Sequence, residues 1–305
     1  MFFTLLLLQW MSWSMYSTPE THIPETQGPQ LLAPGIVSTT MGEYHPTYDA
    51  KNQTLYFMRR TPGRFDYTIL ASQKMGEGWS APEVLPFSGR YRDAAPAIAP
   101  NGKRLFFDSR RPTGTAPKGS INLWYVEQED GQWGDPVYLQ GPSENTPSEP
   151  EAGLDEFGPT VDGQGNLYFY AFRQPYRGGA HYVSRPPNYQ EAELNTGLPD
   201  PSASTFVSYA YLSEDGQFAL LEGLAPGRRD TDIFCACKDA AGNWSKAYPI
   251  NEVNTPAGEG GPSLSTDGQY LLFTSNRSIS NQRVSNANLY WIPIQQLDIP
   301  CLRRP

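Results

Sequence analysis

Apolar positions along most of the chain come in short bursts separated by Gly, Pro, Asn and Asp, and no stretch holds a helical period over several turns. Leu55-Tyr56-Phe57, Leu105-Phe106-Phe107, Leu167-Tyr168-Phe169, Phe218-Ala219-Leu220 and Leu271-Leu272-Phe273 read as buried strands. A turn precedes each: Lys51-Asn52, Asn101-Gly102, Gln164-Gly165, Asp215-Gly216 and Asp267-Gly268. Asn-Gly and Asp-Gly favour the positive φ of tight hairpins. Further strands are expected after a variable loop, as in Asn122-Leu123-Trp124-Tyr125-Val126, Asp232-Ile233-Phe234 and Asn288-Leu289-Tyr290-Trp291. A last one follows a Trp, as in Trp79-Ser80-Ala81-Pro82, Trp133-Gly134-Asp135-Pro136 and Trp244-Ser245-Lys246-Ala247.

These elements repeat. An acidic residue, two positions and a Pro stand ahead of each turn at Glu43 to Pro46, Asp93 to Pro96, Glu156 to Pro159 and Glu259 to Pro262. A degenerate copy has Val207 in the acidic place and Ala210 in the Pro place. Copies at 46, 96, 159, 210 and 262 are 50, 63, 51 and 52 residues apart, and the long spacing carries the polar insert 142–154. Four strands in each such period predict an all-β propeller of five four-stranded blades, with a sixth blade hidden in the insert as the alternative. The last copy lacks a Trp-led fourth strand, whereas Pro29-Gln30-Leu31-Leu32-Ala33 resembles one. The N-terminal segment is therefore expected to complete the last blade and remove an open sheet edge. The expected domain runs over 29–292, after a linker at 18–28 and before a tail at 293–305.

Composition agrees: 28 Gly, 29 Pro and 13% aromatic residues suit many turns and flat side chains. The net charge of −9 repels phosphate backbones, so nucleic acid is not an expected partner. Residues 1–17, with Leu5 to Leu8, resemble the apolar part of a signal peptide and are too short to span a bilayer, although no Lys or Arg precedes Lys51. The expected location is the periplasm or cell exterior, with the cytoplasm as the alternative. Cys235 and Cys237 fall on one face of a strand, where a bridge between them would be strained. They are expected to be small buried residues beside a tail thiol at Cys301; a bridge from Cys301 to one of them is the alternative.

The run Pro262-Ser263-Leu264-Ser265-Thr266-Asp267-Gly268, continuing through Leu271-Leu272-Phe273 to Ser275 and Arg277, resembles the TolB-type, WD40-like repeat. The likeness covers about residues 43–292 and only the propeller part of that family. It departs at the third copy, which lacks the Trp, and at the fourth, which lacks the Pro and the Arg. It implies a propeller, but not a role in the Tol–Pal system.

Positions at one repeat offset converge around a propeller axis. Glu43, Asp93, Glu156 and Glu259 are therefore expected as a carboxylate ring at one channel mouth, able to hold Ca²⁺ or another hard cation or to serve glycoside hydrolysis. Capping of local backbone groups is the bland alternative. Arg59, Arg110, Arg173 and Arg277 are expected to be structural, paired with Asp232 or with the equivalent Asn122 and Asn288, and Asp215 and Asp267 to be turn residues. His22, His45 and His181 show no zinc spacing, and there is neither a nucleophile elbow nor a phosphate loop. No catalytic residue is assigned. The sequence points to a binding module for a protein, peptide or glycan of the cell envelope, with a glycan-acting hydrolase as the alternative.

Overall fold

A computed structural model describes residues 28–61, 66–115, 118–139, 155–171, 179–195, 197–199, 207–224, 227–277 and 286–300. The strands form five antiparallel sheets, each a meander that starts at an innermost strand. The innermost strands are Glu43–Asp49, Asp93–Ile98, Glu156–Val161, Val207–Leu212 and Glu259–Leu264. Each packs beside the next, and the last packs against the first, which closes a five-bladed propeller.

Closure is a strand exchange. Gln30 and Leu31 pair antiparallel with Trp291 and Tyr290, so the outermost strand of the last blade comes from the N-terminal segment, as expected. The same joint is tied near the axis. Ser263 Oγ donates to the Pro46 carbonyl at 2.6 Å, and the Ala50 N–H donates to Thr266 Oγ1 at 2.9 Å. Deleting residues 1–33 should therefore destabilise the whole domain, because it bares the edge of Asn288–Pro293 and empties the buried site of Leu32. Calorimetry should show a cooperative transition shifted downward; a full-length melting curve would refute the exchange.

Alternation along the second strands divides the core. Leu55 and Phe57 pack towards the last blade, whereas Tyr56 packs towards the second. Leu105 and Phe107 pack back on the first blade, and Phe106 forward on the third. Period-2 alternation with both faces covered explains why these strands read as continuous apolar runs. In the fourth blade the frame shifts by one from the sequence expectation. Ala219 and Leu221 pack back and Leu220 forward, so Ala219-Leu220-Leu221 is the true counterpart of Leu55-Tyr56-Phe57.

Two further corrections concern the chain's end. Leu297 and Ile299 are buried in the cluster between the fourth and fifth blades, so the segment after Ile292 continues the core. Cys235 is a free buried thiol, but Cys237 is disulfide-bonded to a partner outside the described residues. The supposed leader, the 142–154 insert and Arg173 also lie outside the described residues.

Candidate functional site

The four acidic repeat residues sit where the repeat places them, at the start of the innermost strands, and all are buried. Three of them anchor a common local motif. Glu43 accepts from the Thr39 N–H and hydroxyl at 2.9 and 2.6 Å and from Arg59 Nε at 2.9 Å. Glu259 accepts from the Thr255 N–H and hydroxyl at 3.0 and 2.7 Å, from Ser275 Oγ at 2.8 Å and from Arg277 Nη2 at 3.2 Å. Asp93 accepts from Ser88 Oγ, Ser109 Oγ and Arg111 Nη2 at 2.9, 2.6 and 2.7 Å. In each case the same guanidinium also donates to a carbonyl ahead of the strand, at Val37, Val253 or Phe87.

This motif fits a cation shared across the axis poorly, because Ca²⁺ would have to displace a guanidinium from each buried carboxylate. Among the described residues no three His, Cys, Asp or Glu side chains are grouped to hold a metal ion. The arginine partners also differ from expectation. Arg59 and Arg277 pair with the innermost-strand carboxylate of their own blade, and in the second blade Arg111 takes this place, leaving Arg110 exposed. Asp232 is bound instead by Arg228, at 2.9 and 3.1 Å. Asp215 and Asp267 each accept from a Ser hydroxyl two residues back and from the N–H two residues on, which shapes the hairpin turns.

The chemistry at the axis comes from a different offset, the residue before the repeat Pro. Every innermost strand breaks register near this point, as at Tyr44/Thr47 and Ala94/Ala97. Such bulges re-aim side chains. His45 and Ala95 adopt φ of 48° and 47° there. His45 meets Tyr209 edge-on across the axis, with ring centroids 5.0 Å apart. Glycines on other blades leave room for the two rings: a Cβ on Gly158 would lie 2.7 Å from the Tyr209 ring, and one on Gly261 would lie 3.0 Å from His45 Nδ1.

Around this pair lies a pocket of about 270 Å³ walled by Phe157, Tyr170 and Tyr209, with Arg92, Asp108 and Glu222 as the charged groups among the described residues. Arg92 pairs closely with Asp108, which also accepts from the Gly158 N–H at 3.2 Å. Glu222 is half-buried and accepts from the Gly261 N–H at 2.7 Å. His45 Nδ1 is buried without a hydrogen-bond partner. Burial pulls the His45 pKa below its ordinary value, against the nearby carboxylates of Glu222 and Asp108, and Arg92 adds to the lowering. His45 is thus held neutral near pH 7. Arg92, Asp108 and Glu222 carried no sequence signal; the pre-proline offset, unused in the sequence reading, would have pointed to His45 and Tyr209.

A pH prediction follows from His45. The folded state takes up a proton less readily than the unfolded chain, so this residue's contribution to stability is intact above the ordinary His range of about 6.5 and is lost as pH falls below it. A His45→Gln variant should lose less stability than wild type between about pH 7 and 5, measured by chemical denaturation. Parallel losses in the two proteins would contradict the assignment.

The hairpin ends at the opposite channel mouth enclose a larger cavity of about 680 Å³, lined by Thr47, Val161, Tyr211 and Leu264 among others. A third, of about 480 Å³, lies beside Arg104, Glu127 and Tyr189.

No protein-family model matches the chain, and no curated protein matches it in sequence. Solved structures do. The chain is similar to TolB from Acinetobacter baumannii at 15% identity and a TM-score of 0.50, over 84% of this chain and 53% of that one. It thus spans about half the length of that TolB chain. It is similar to a thermostable family-43 glycoside hydrolase at 12% identity and a TM-score of 0.55, over 86% and 92% of the two chains. Zg3597, a family-117 glycoside hydrolase from Zobellia galactanivorans, matches at 14% identity and a TM-score of 0.51, over 87% and 89%. At these identities the likeness establishes the shared propeller fold and leaves activity open.

Proposed function

We propose that this propeller is a binding protein acting outside the cytoplasm, and that its small polar ligand, or the end of a peptide or glycan, seats in the axial pocket beside His45 and Glu222. One observation carries the reading: residues of the second, third and fourth blades supply side chains that, with His45 of the first, surround a concave site holding a neutral imidazole with an unpartnered buried nitrogen. Aromatic walls with a few convergent polar groups are the usual make-up of a ligand site. The disulfide at Cys237 supports an oxidising compartment. Among the described residues no helix is long and apolar enough to cross a membrane.

A hydrolase is the second reading, favoured by the presence of two carboxylates, Asp108 and Glu222, in one pocket. Glycoside hydrolysis takes a pair of carboxyl groups, one of them free to give a proton. Asp108 is already committed to Arg92 and to the Gly158 N–H, which favours binding over turnover. The test is a screen of glycans and short peptides by calorimetry, followed by incubation of each ligand with the protein. The binding reading expects saturable heat that falls at least about tenfold in affinity in Glu222→Gln, with ligand recovered intact. Cleaved ligand would establish the hydrolase; no heat with any member of either class would overturn the binding reading.

A further inference from the structure

The cavity of about 680 Å³ at the mouth opposite the axial pocket has an apolar inner wall and an acidic rim. Ile98, Val161 and Leu264, each two residues after the repeat Pro, are buried there together with Phe218. One residue after that Pro, Thr160 and Ser263 tie their blades to the next, donating to the Ala210 and Pro46 carbonyls at 2.9 and 2.6 Å. Tyr211 holds the same offset in the fourth blade; it walls the cavity, with its phenol hydrogen-bonded to the Leu264 backbone. The rim breaks the repeat too. Gly163 donates its N–H to the Glu214 carbonyl at 2.9 Å, and a Cβ on it would lie 2.4 Å from Glu214 Cγ. The φ of Gly163 is outside the left-handed region, so its missing side chain serves this approach, which lays Glu214 along the rim. Burial pushes the Tyr211 phenol pKa up, and the Glu214 charge adds to the rise, so the carboxylate acts on the cavity wall. Glu214 is exposed and has no hydrogen bond or ion pair to its carboxylate among the described residues, whereas Asp215 is spent on its own turn. No Lys, Arg or His among the described residues lines the cavity; Lys51 and Lys103 stand outside it, on the tips of the first two hairpins. We infer that this mouth is a second binding site, for an organic cation: an amine whose ring or chain covers the apolar wall while its charge rests at Glu214. Apolar burial supplies most of the affinity, and the partly solvated carboxylate selects the sign of the charge.

The probes are 2-phenylethylammonium, 2-phenylethanol and phenylacetate, which share a ring and differ in charge. Each is titrated at pH 7 into the isotope-labelled full chain, and the assigned backbone amides of Gly163 and Gly268 report on the mouth. The amine should shift both amides and bind about threefold more tightly than the alcohol. Over phenylacetate, which meets a like charge, the margin should reach about tenfold. Glu214→Gln, at an exposed position, should fold as wild type by melting, bring the amine level with the alcohol and leave the alcohol unchanged. Should that variant fail to fold, the three probes in the wild type decide alone. Equal binding of all three, or tightest binding of phenylacetate, would overturn the cation assignment. Silence at Gly163 and Gly268 with every probe would overturn the site. Shifts confined to Gly158 and Gly261 would place the amine in the axial pocket and overturn the site equally.

Discussion

Arg277→Ala should lower the melting temperature by roughly 5–10 °C, the expected scale for about 3 kcal/mol in a domain of this size. The Glu259 side chain has 0% exposure and that of Arg277 17%, so water cannot replace the lost partner. Burial holds the Arg277 guanidinium below its ordinary pKa, against the opposing pull of Glu259, as expected of a cation desolvated beside its counter-ion. The truncation also strips donors from Ser275 Oγ and the Val253 carbonyl and removes packing over Phe273 and Tyr290. Arg104→Ala is the control. Its partner Glu127 is 51% exposed, and such surface pairs contribute at most about 1 kcal/mol. Ligand affinity at the axis should change little in Arg277→Ala. A variant that melts like wild type but loses its ligand would move Arg277 from the scaffold to the site.

The contrast between these two arginines shows where the sequence was legible. Pro, turn and apolar burst recur because each blade solves the same packing problem, so self-similarity alone gave the fold, the blade count and the closing strand. Register was legible where the Pro anchored it and failed in the fourth blade. There Ala210 replaces the Pro, and Phe218 precedes the burst as an extra apolar residue, so the frame slipped by one. The acidic residues were found for the right offset, but their role depended on side-chain direction. A buried carboxylate opposite an arginine on the neighbouring strand looks the same in sequence as one facing a channel. The axial groups were hidden for a different reason. His45 and Tyr209 face the axis because a bulge turns the backbone, and Arg92, Asp108 and Glu222 reach it from three different places in their blades. No repeat offset gathers them.

Gly158→Ala tests that axial geometry most severely, with an expected loss of roughly 2–5 kcal/mol. Two costs add. The residue sits at φ +57°, in the left-handed region that an L side chain enters at about 1–2 kcal/mol. Its new methyl would also lie 2.7 Å from Tyr209 Cδ2, and Tyr209 is held in turn against His45. The ring must move, and with it the pocket wall. Gly216→Ala separates the two costs: φ is +65° there but nothing lies within 4 Å, so the backbone penalty alone, about 1 kcal/mol, is expected. A second substitution, Tyr209→Leu, should recover part of the Gly158→Ala loss, so that the pair is less destabilising than the sum of its members. Additive losses would mean that the tyrosine yields freely. The crossing of His45 and Tyr209 would then be a loose contact, unable to hold a ligand site in place.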